Sequence, residues 1–301
     1  MDFRCDCTNV SIGGAVQKPV LLKGFAGTTN VGYPNEDKNC ASFQTLPKVV
    51  DMSLPDTLVA RIIETVHMHK LSGNFLMLGR QRWIGTRKGV AAELLKEVIE
   101  KHLPGVKEDD LKNPDDDFAE VFFKVLGFDT VDSMDMSTFE GASVIQDLSA
   151  KLDPSLKGRF DVIYDGGTCE HIFELPKAYR NLDRMLKPGG TLIGHSPCNN
   201  WINHSFYQIS PEMVYGFWEK ALGYEVLHVY LQPLLPNFAK KIATTTNPNI
   251  TGNRPRIKGE LPKNSPLILN YAVRKPAISS KKKAGVYQTD YVEKWKDTVA
   301  K

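Results

Sequence analysis

The chain has 301 residues, a formal net charge of +3, 42% hydrophobic and 24% charged residues, values that suit a folded globular chain and exclude disordered, coiled-coil or collagen-like compositions. The small charge excess and its interleaved acidic and basic residues argue against a dedicated nucleic-acid face. No apolar run approaches the roughly 18 to 20 residues of a membrane span, and the start MDFRCDCTNV lacks a signal-peptide core, so a cytoplasmic chain is expected. Five cysteines is an odd number, which speaks against a disulfide framework. Cys5, Cys7 and Cys40 have no fourth Cys or His at finger-like spacing, so no metal site is assigned. The basic runs Arg254, Arg256, Lys258 and Lys281, Lys282, Lys283 read as solvated surface.

Residues 1–50 are rich in Gly, Asn, Thr and Pro without a sustained period, which reads as an irregular arm. From Ser53, a candidate N-cap with Pro55 in the first turn, Leu58, Val59, Ile62, Ile63 and Val66 recur at helical spacing. A short apolar strand over 74–78 stops at Gly79, and Val90, Leu94, Leu95, Val98 and Ile99 mark the next helix. An acidic stretch, 108–117, precedes a short helix with Phe118, Val121, Phe122 and Val125 on one side. Strands are expected at 130–134 and 142–145, each followed by an acidic residue, Asp135 and Asp147. A further strand at 160–164 leads through Gly166 and Gly167 to a helix bearing Leu175, Ala178, Leu182 and Leu186, stopped by Lys187-Pro188-Gly189-Gly190 before a strand at 191–194. A helix at 211–222, a strand at 225–231, a long loop to about 266 and a last strand at 267–273 complete the pattern.

Strands alternating with helices at this spacing imply a doubly wound, mainly parallel sheet covered on both faces. The expected fold is α/β and Rossmann-like, with seven strands and an antiparallel C-terminal edge strand. In such sheets ligands lie beyond the carboxyl ends of the strands, where strand order reverses. Those ends carry Gly79, Asp135, Asp147, Asp165-Gly166-Gly167 and Ser196-Pro197. An acidic side chain accepts both hydroxyls of a ribose, and a glycine lets backbone approach a ligand closely. A nucleoside-containing ligand is therefore expected.

The run Phe160-Asp-Val-Ile-Tyr-Asp165, Cys169-Glu-His-Ile172 and Leu182-Asp-Arg-Met-Leu-Lys-Pro-Gly-Gly190-Thr-Leu-Ile resembles the second half of a class I S-adenosylmethionine-dependent methyltransferase domain. The resemblance extends more weakly over roughly 74–275. Asn203-His-Ser-Phe-Tyr-Gln-Ile-Ser-Pro211 and Gln288-Thr-Asp-Tyr-Val-Glu-Lys-Trp295 are similar to segments of uncharacterised bacterial members. It implies an arm at 1–50, a methyltransferase domain at 51–275 and a tail at 276–301. It also implies that S-adenosylmethionine is bound with Asp135 on the ribose, Met136 beside it, Asp147 and Leu148 lining the adenine, and Gly79 under the methionine portion. Asp165 and Gly166 would border the cofactor at the fourth strand. Asp132 competes with Asp135 for the ribose. The first loop departs from the family's Gly-x-Gly-x-Gly, reading Leu78-Gly-Arg-Gln-Arg-Trp-Ile-Gly85, so Arg80 and Gln81 fall where backbone normally meets cofactor. Arg80 and Arg82 are either carboxylate partners or solvent-facing charges.

Methyl transfer from a sulfonium needs an aligned acceptor and, for a hydroxyl, a base. His204 is the first candidate, followed by His171 and Glu170, with Tyr207 orienting. The expected acceptor is a small molecule or sugar, with O-methylation favoured. The alternatives are a methyltransferase-like binding or assembly protein without catalysis and, below it, an NAD-dependent oxidoreductase, which the missing Gly-x-Gly-x-x-Gly spacing disfavours. The absence of an Asn-Pro-Pro-Tyr-type tetrad after the fourth strand, where Asp165-Gly-Gly-Thr168 stands, disfavours a nucleic-acid substrate.

Overall fold

The structure is a computed structural model that describes residues 53–85, 88–138, 140–278 and 286–299. The chain divides into two compact units, Met1–Lys48 and Val49–Lys301, and all described residues belong to the second. The expected arm with Cys5, Cys7 and Cys40, and the lysines at 281–283, lie outside the described residues.

In chain order the elements are β1 (Ser53–Pro55), α1 (Asp56–His69), β2 (Gly73–Leu78), β3 (Arg82–Ile84), α2 (Val90–His102), α3 (Glu120–Val125), β4 (Phe128–Asp135) and β5 (Val144–Ile145). The second half holds β6 (Phe160–Asp165), α4 (Leu175–Met185), β7 (Leu186–Asn199) and α5 (Pro211–Met213), which runs on as a π-helix, Val214–Ala221. It ends with β8 (Glu225–Pro233), β9 (Ala243–Thr245), α6 (Pro248–Thr251), β10 (Ile257–Lys258), β11 (Leu267–Arg274) and α7 (Thr289–Val299). The segment expected as a tail therefore contains a helix.

Nine strands form the main sheet in the order β10-β9-β8-β11-β7-β6-β2-β4-β5. β5, β4, β2, β6 and β7 run parallel to one another, and β11 is antiparallel to both β7 and β8. The doubly wound class is as expected, but the count and the place of the antiparallel strand differ. β9 and β10 arise from the stretch read as loop. β11 is inserted between β7 and β8 rather than lying at an edge, because seven of its eight residues are buried. An eight-residue strand apolar on both sides needs partners along both edges, whereas the actual edge strands β5 and β10 have two residues each.

Two apolar layers cover the sheet. Leu76, Leu78 and Ile163 face α4 and the π-helix, where Tyr179, Leu182 and Trp218 are buried. Phe75, Met77, Val162 and Tyr164 face α1, α2 and α3, with Ile62, Leu95 and Phe123 among them. Alternate residues of β2 and β6 thus serve opposite layers, so these strands read as continuous apolar runs. Burying each such side chain contributes roughly 1.5 to 3 kcal/mol.

Two local departures come from one pairing. Ser53–Pro55 is a strand rather than a helix start, because it pairs in parallel with Arg82–Ile84. Trp83 Nε1 donates to Asp56 Oδ1 at 3.0 Å, which ties the first residue of α1 to the loop after β2. The loop therefore runs out alongside β1 instead of entering a helix directly, and α2 begins only at Val90.

Candidate active site

Strand order reverses between β2 and β6, with β4 and β5 to one side and β7 to the other. Leu78 is level with Met134 on β4 and with Asp165 on β6, and Asp165 with Gly194 on β7. One residue further along, Gly79, Asp135 and Gly166 form the next row, and Asp135 pairs with Ile145 of β5. Of the tips expected from sequence, Gly79, Asp135 and Asp165-Gly166 are neighbours at the switch point, whereas Ser196-Pro197 lie within β7, which runs on to Asn199 because β11 pairs along it.

The backbone of Gly79 has φ 67°, a left-handed conformation that favours glycine, and its N–H donates to Met134 O at 2.7 Å. That bond locks the β2 tip to the β4 tip. Asp135 Oδ1 accepts from Ser137 N at 2.9 Å. The adjacent Met136 is 74% exposed, an apolar face next to the carboxylate. Asp132, the competitor, is engaged elsewhere: its carboxylate takes Arg159 Nη2 at 2.8 Å and Ser143 Oγ at 2.9 Å. Asp147 Oδ1 accepts from Ser149 N and Oγ, both at 2.7 Å. These bonds, the side-chain one first, hold its carboxyl below the usual range. Leu148 is buried in the core and has no face at the surface.

Arg80 is neither solvent-facing nor available at the tips. Its Nε donates to Glu120 Oε1 at 2.6 Å, its Nη1 to Glu140 O at 3.1 Å, and its guanidinium lies 3.6 Å from the Phe118 ring centroid. Arg82 stacks on the same ring at 4.3 Å. Gln81 instead turns inward. It is fully buried, its Nε2 donates to Leu78 O at 3.0 Å, and its Oε1 has no partner. A Cβ built on Gly166 would stand 2.8 Å from that oxygen and 2.6 Å from the Tyr164 ring, so glycine is required for the two loops to meet.

At the β6 tip, Asp165 is fully buried, and its Oδ1 accepts from Thr168 N at 3.0 Å and Cys169 N at 3.2 Å. Its Oδ2 has no partner. Thr168 Oγ1 donates to Leu78 O at 2.9 Å, so β2 and β6 are joined above the sheet. Glu170, in the next turn, is fully buried with neither carboxylate oxygen hydrogen-bonded. Burial, then the Asp165 charge, push its carboxyl well above the usual range, and burial likewise raises Asp165.

Beside this pair lie the two histidines. Glu170 Oε1 is 4.0 Å from His204 Nε2, and the His171 and His204 rings meet edge-on at 4.9 Å between centroids. Each of Glu170, His171 and His204 brings one ligand-competent atom within 4.8 Å of the others. Burial lowers both histidines below their ordinary value, with the Asp165 charge opposing it at His171 and the neighbouring imidazole adding to it at His204. Both rings are thus neutral near pH 7. Tyr207 N donates to Glu170 O at 3.3 Å and Tyr207 Oη to Phe173 O at 2.7 Å, which pins the 201–209 loop onto the Glu-His turn. All four expected catalytic residues are therefore gathered in one place.

Sequence reading missed the rim. Phe173 and Phe206 are each 68% exposed and contact each other edge-on at 5.7 Å, and Ile202 is 91% exposed. Trp201 packs on His204 at 4.9 Å. Isolated apolar residues in polar loops carry no period, so only their convergence in space reveals them.

These tips fit an adenosyl cofactor. Two buried acceptors at these tips, Gln81 Oε1 and Asp165 Oδ2, have no hydrogen-bond partner, and a cationic ligand group would supply one. The inserted antiparallel β11 also departs from the all-parallel order 3-2-1-4-5-6 of dinucleotide folds.

Residues 115–194 match a family described as a methyltransferase domain. A search of curated proteins finds no match. Among solved structures, the chain is similar to the N-methyltransferase NodS from Bradyrhizobium japonicum WM9 in complex with S-adenosylhomocysteine, at 12% identity and TM-score 0.36, over 72% of this chain and 85% of that one. It is also similar to 1,6-didemethyltoxoflavin-N1-methyltransferase from Burkholderia thailandensis, at 12% identity and TM-score 0.37, over 73% and 80%. A third is an S-adenosylmethionine-dependent methyltransferase from Mesorhizobium loti, at 13% identity and TM-score 0.35, over 67% and 90%. At such values the sheet order of this chain, not the superposition, carries the fold assignment. The matched segment runs from before α3 into β7 and carries the likeness to a methyltransferase domain, while the sheet around it is a Rossmann-like, doubly wound α/β sheet.

Proposed function

We propose that the protein transfers a methyl group from S-adenosylmethionine to a small-molecule or sugar acceptor, with oxygen the favoured atom. The observation that carries this reading is the convergence of Glu170, His171 and His204 beside the Asp165-Gly166 tip at the switch point. When bound, the cofactor supplies a methyl group already activated on a sulfonium. The chain's own part is to bind, align and handle one proton.

In this reading Asp135 holds the ribose hydroxyls, Met136 and the Asp147 turn border the adenine, and Gln81 Oε1 and Asp165 Oδ2 accept from the ammonium of the methionine portion. Gly79 lets the ligand close on the backbone, and Gly166 borders it while leaving room for Gln81 and Tyr164. Arg80 has no part in it, since Glu120 and Phe118 already engage its guanidinium. The acceptor lies against Phe173, Phe206 and Trp201, and neutral His204, with Glu170 behind it, takes the hydroxyl proton. No helix among the described residues is long and apolar enough to cross a membrane. A cytoplasmic location and a catalytic unit over 51–275 belong to the same proposal.

A thermal-shift screen with S-adenosylmethionine, S-adenosylhomocysteine and NAD tests the cofactor. The two adenosyl ligands raise the melting temperature by mass action, and stabilisation by NAD alone rejects the reading.

A further inference from the structure

A carboxylate with two unpaired oxygens in a fully buried position is costly, because ionising it without a partner forfeits hydration and gains nothing. Such a group calls for an explanation, and an ion is one. Glu170 is in that state, 0% exposed with both oxygens lacking partners. Its Oε1 is 4.0 Å from His204 Nε2, too long for a hydrogen bond. His171 completes a set of three donor atoms within 4.8 Å of one another. The inward end of the set is buried Glu170, and the outward end is exposed His171. The expectation that the chain binds no metal rested on its cysteines and did not consider this group.

We infer that Glu170, His171 and His204 form a binding site for a divalent transition-metal ion of the zinc type, three protein ligands with a position left open toward the acceptor rim. Two imidazoles and one carboxylate are a borderline donor set that suits zinc or cobalt better than magnesium or calcium, which prefer all-oxygen shells. Tetrahedral zinc needs its ligands about 3.3 Å apart for bonds of about 2.0 to 2.1 Å, so modest side-chain rotations close the observed set. The backbone is already fixed for it. Tyr207 N holds the 201–209 loop to Glu170 O, and Tyr207 Oη reaches Phe173 O. The ion's charge offsets the buried carboxylate, and three protein ligands with an open position are the pattern of a catalytic rather than a structural site. An acceptor hydroxyl taking that position would lose its proton to solvent more readily, so with the ion bound His204 serves as a ligand and the ion takes over its part in deprotonation. This last consequence rests on the methyltransferase reading, whereas metal binding does not.

The test uses the full chain after chelator treatment, without cofactor. Zn²⁺ is titrated by calorimetry and Co²⁺ by visible absorption into the wild type, Glu170→Gln and His204→Ala. One equivalent bound by the wild type, weakened by about 100-fold or more in both variants, with cobalt bands lacking a thiolate charge-transfer feature, is the expected result. No binding by the wild type, binding unchanged in the variants, or a thiolate feature pointing to cysteines overturns the inference. Circular dichroism checks that each variant folds; if Glu170→Gln does not, His204→Ala on its partly exposed loop decides alone. S-adenosylhomocysteine is titrated into the same samples. Metal binding without adenosyl binding keeps this site and rejects the methyltransferase reading, and the converse rejects this site alone.

Discussion

Glu170 Oε1 stands 4.0 Å from His204 Nε2, one residue fully buried at the end of β6's following turn and the other 24% exposed on a loop after β7. Two segments separated by 33 intervening residues thus meet at the switch point of the sheet. The carboxylate has no other side-chain partner, so its position makes sense only through what approaches from the histidine side.

Glu170→Gln follows from that relation. The amide is isosteric and removes a buried ionisable group, so the melting temperature is expected to stay at or above that of the wild type. Methyl transfer is expected to fall by about 10² or more, the usual scale for a proton-handling group. A loss of stability without loss of transfer contradicts the role assigned to Glu170.

Gly166→Ala tests the approach of the two tips. The added Cβ would lie 2.6 Å from the Tyr164 ring and 2.8 Å from Gln81 Oε1, so Gln81 must be displaced. The expected cost is about 1 to 3 kcal/mol of stability in denaturant unfolding, the range for overpacking, together with weaker S-adenosylhomocysteine binding. An alanine variant with unchanged stability and affinity contradicts the close approach.

Arg80→Ala separates a structural arginine from a ligand. Loss of the 2.6 Å bond to Glu120 and the stacking on Phe118 is expected to cost about 1 to 2 kcal/mol, while S-adenosylhomocysteine affinity stays within about two-fold of wild type. A drop in affinity of about ten-fold or more, about 1.4 kcal/mol, would return Arg80 to the cofactor.

Stability is expected to fall in acid through buried His195 and half-buried His228. Burial first, then the charges of His228 and Arg61, lower His195 to about 3, and burial with His69 lowers His228 to about 4. Each folded value lies below the unfolded 6.5, so the unfolded chain binds protons that the folded chain refuses. The stability is complete above pH 6.5 and is lost as pH falls toward 3 to 4, at up to about 1.4 kcal/mol per pH unit for each group. Raised carboxyls at Asp165 and Glu170 act in the opposite direction, so the comparison is with a variant. In His195→Asn, urea unfolding at pH 7 and pH 5 is expected to show a shallower decline; an equal decline contradicts the assignment.

Much of this was legible from residue order. Helical periods marked α1, α2 and α4, and apolar runs ending in Gly79, Asp135 and Asp165 marked the tips that the sheet makes adjacent. The Glu-His turn marked one side of the cluster that Glu170, His171 and His204 form. What the chain did not disclose were properties of pairing: Ser53–Pro55 reads as a helix start until Arg82–Ile84 is beside it, and β11 reads as an edge strand until β7 and β8 flank it. Local pattern encodes which face is apolar, not which distant strand will cover it. Arg80 illustrates the same limit, since its partner Glu120 lies 40 residues away.

The most direct test of the central claim is calorimetric titration of S-adenosylhomocysteine into the wild type and Asp135→Ala. One site is expected on the wild type, with affinity reduced about ten-fold or more by removing a charged acceptor from the ribose. No binding to the wild type, or equal binding to both proteins, contradicts the account.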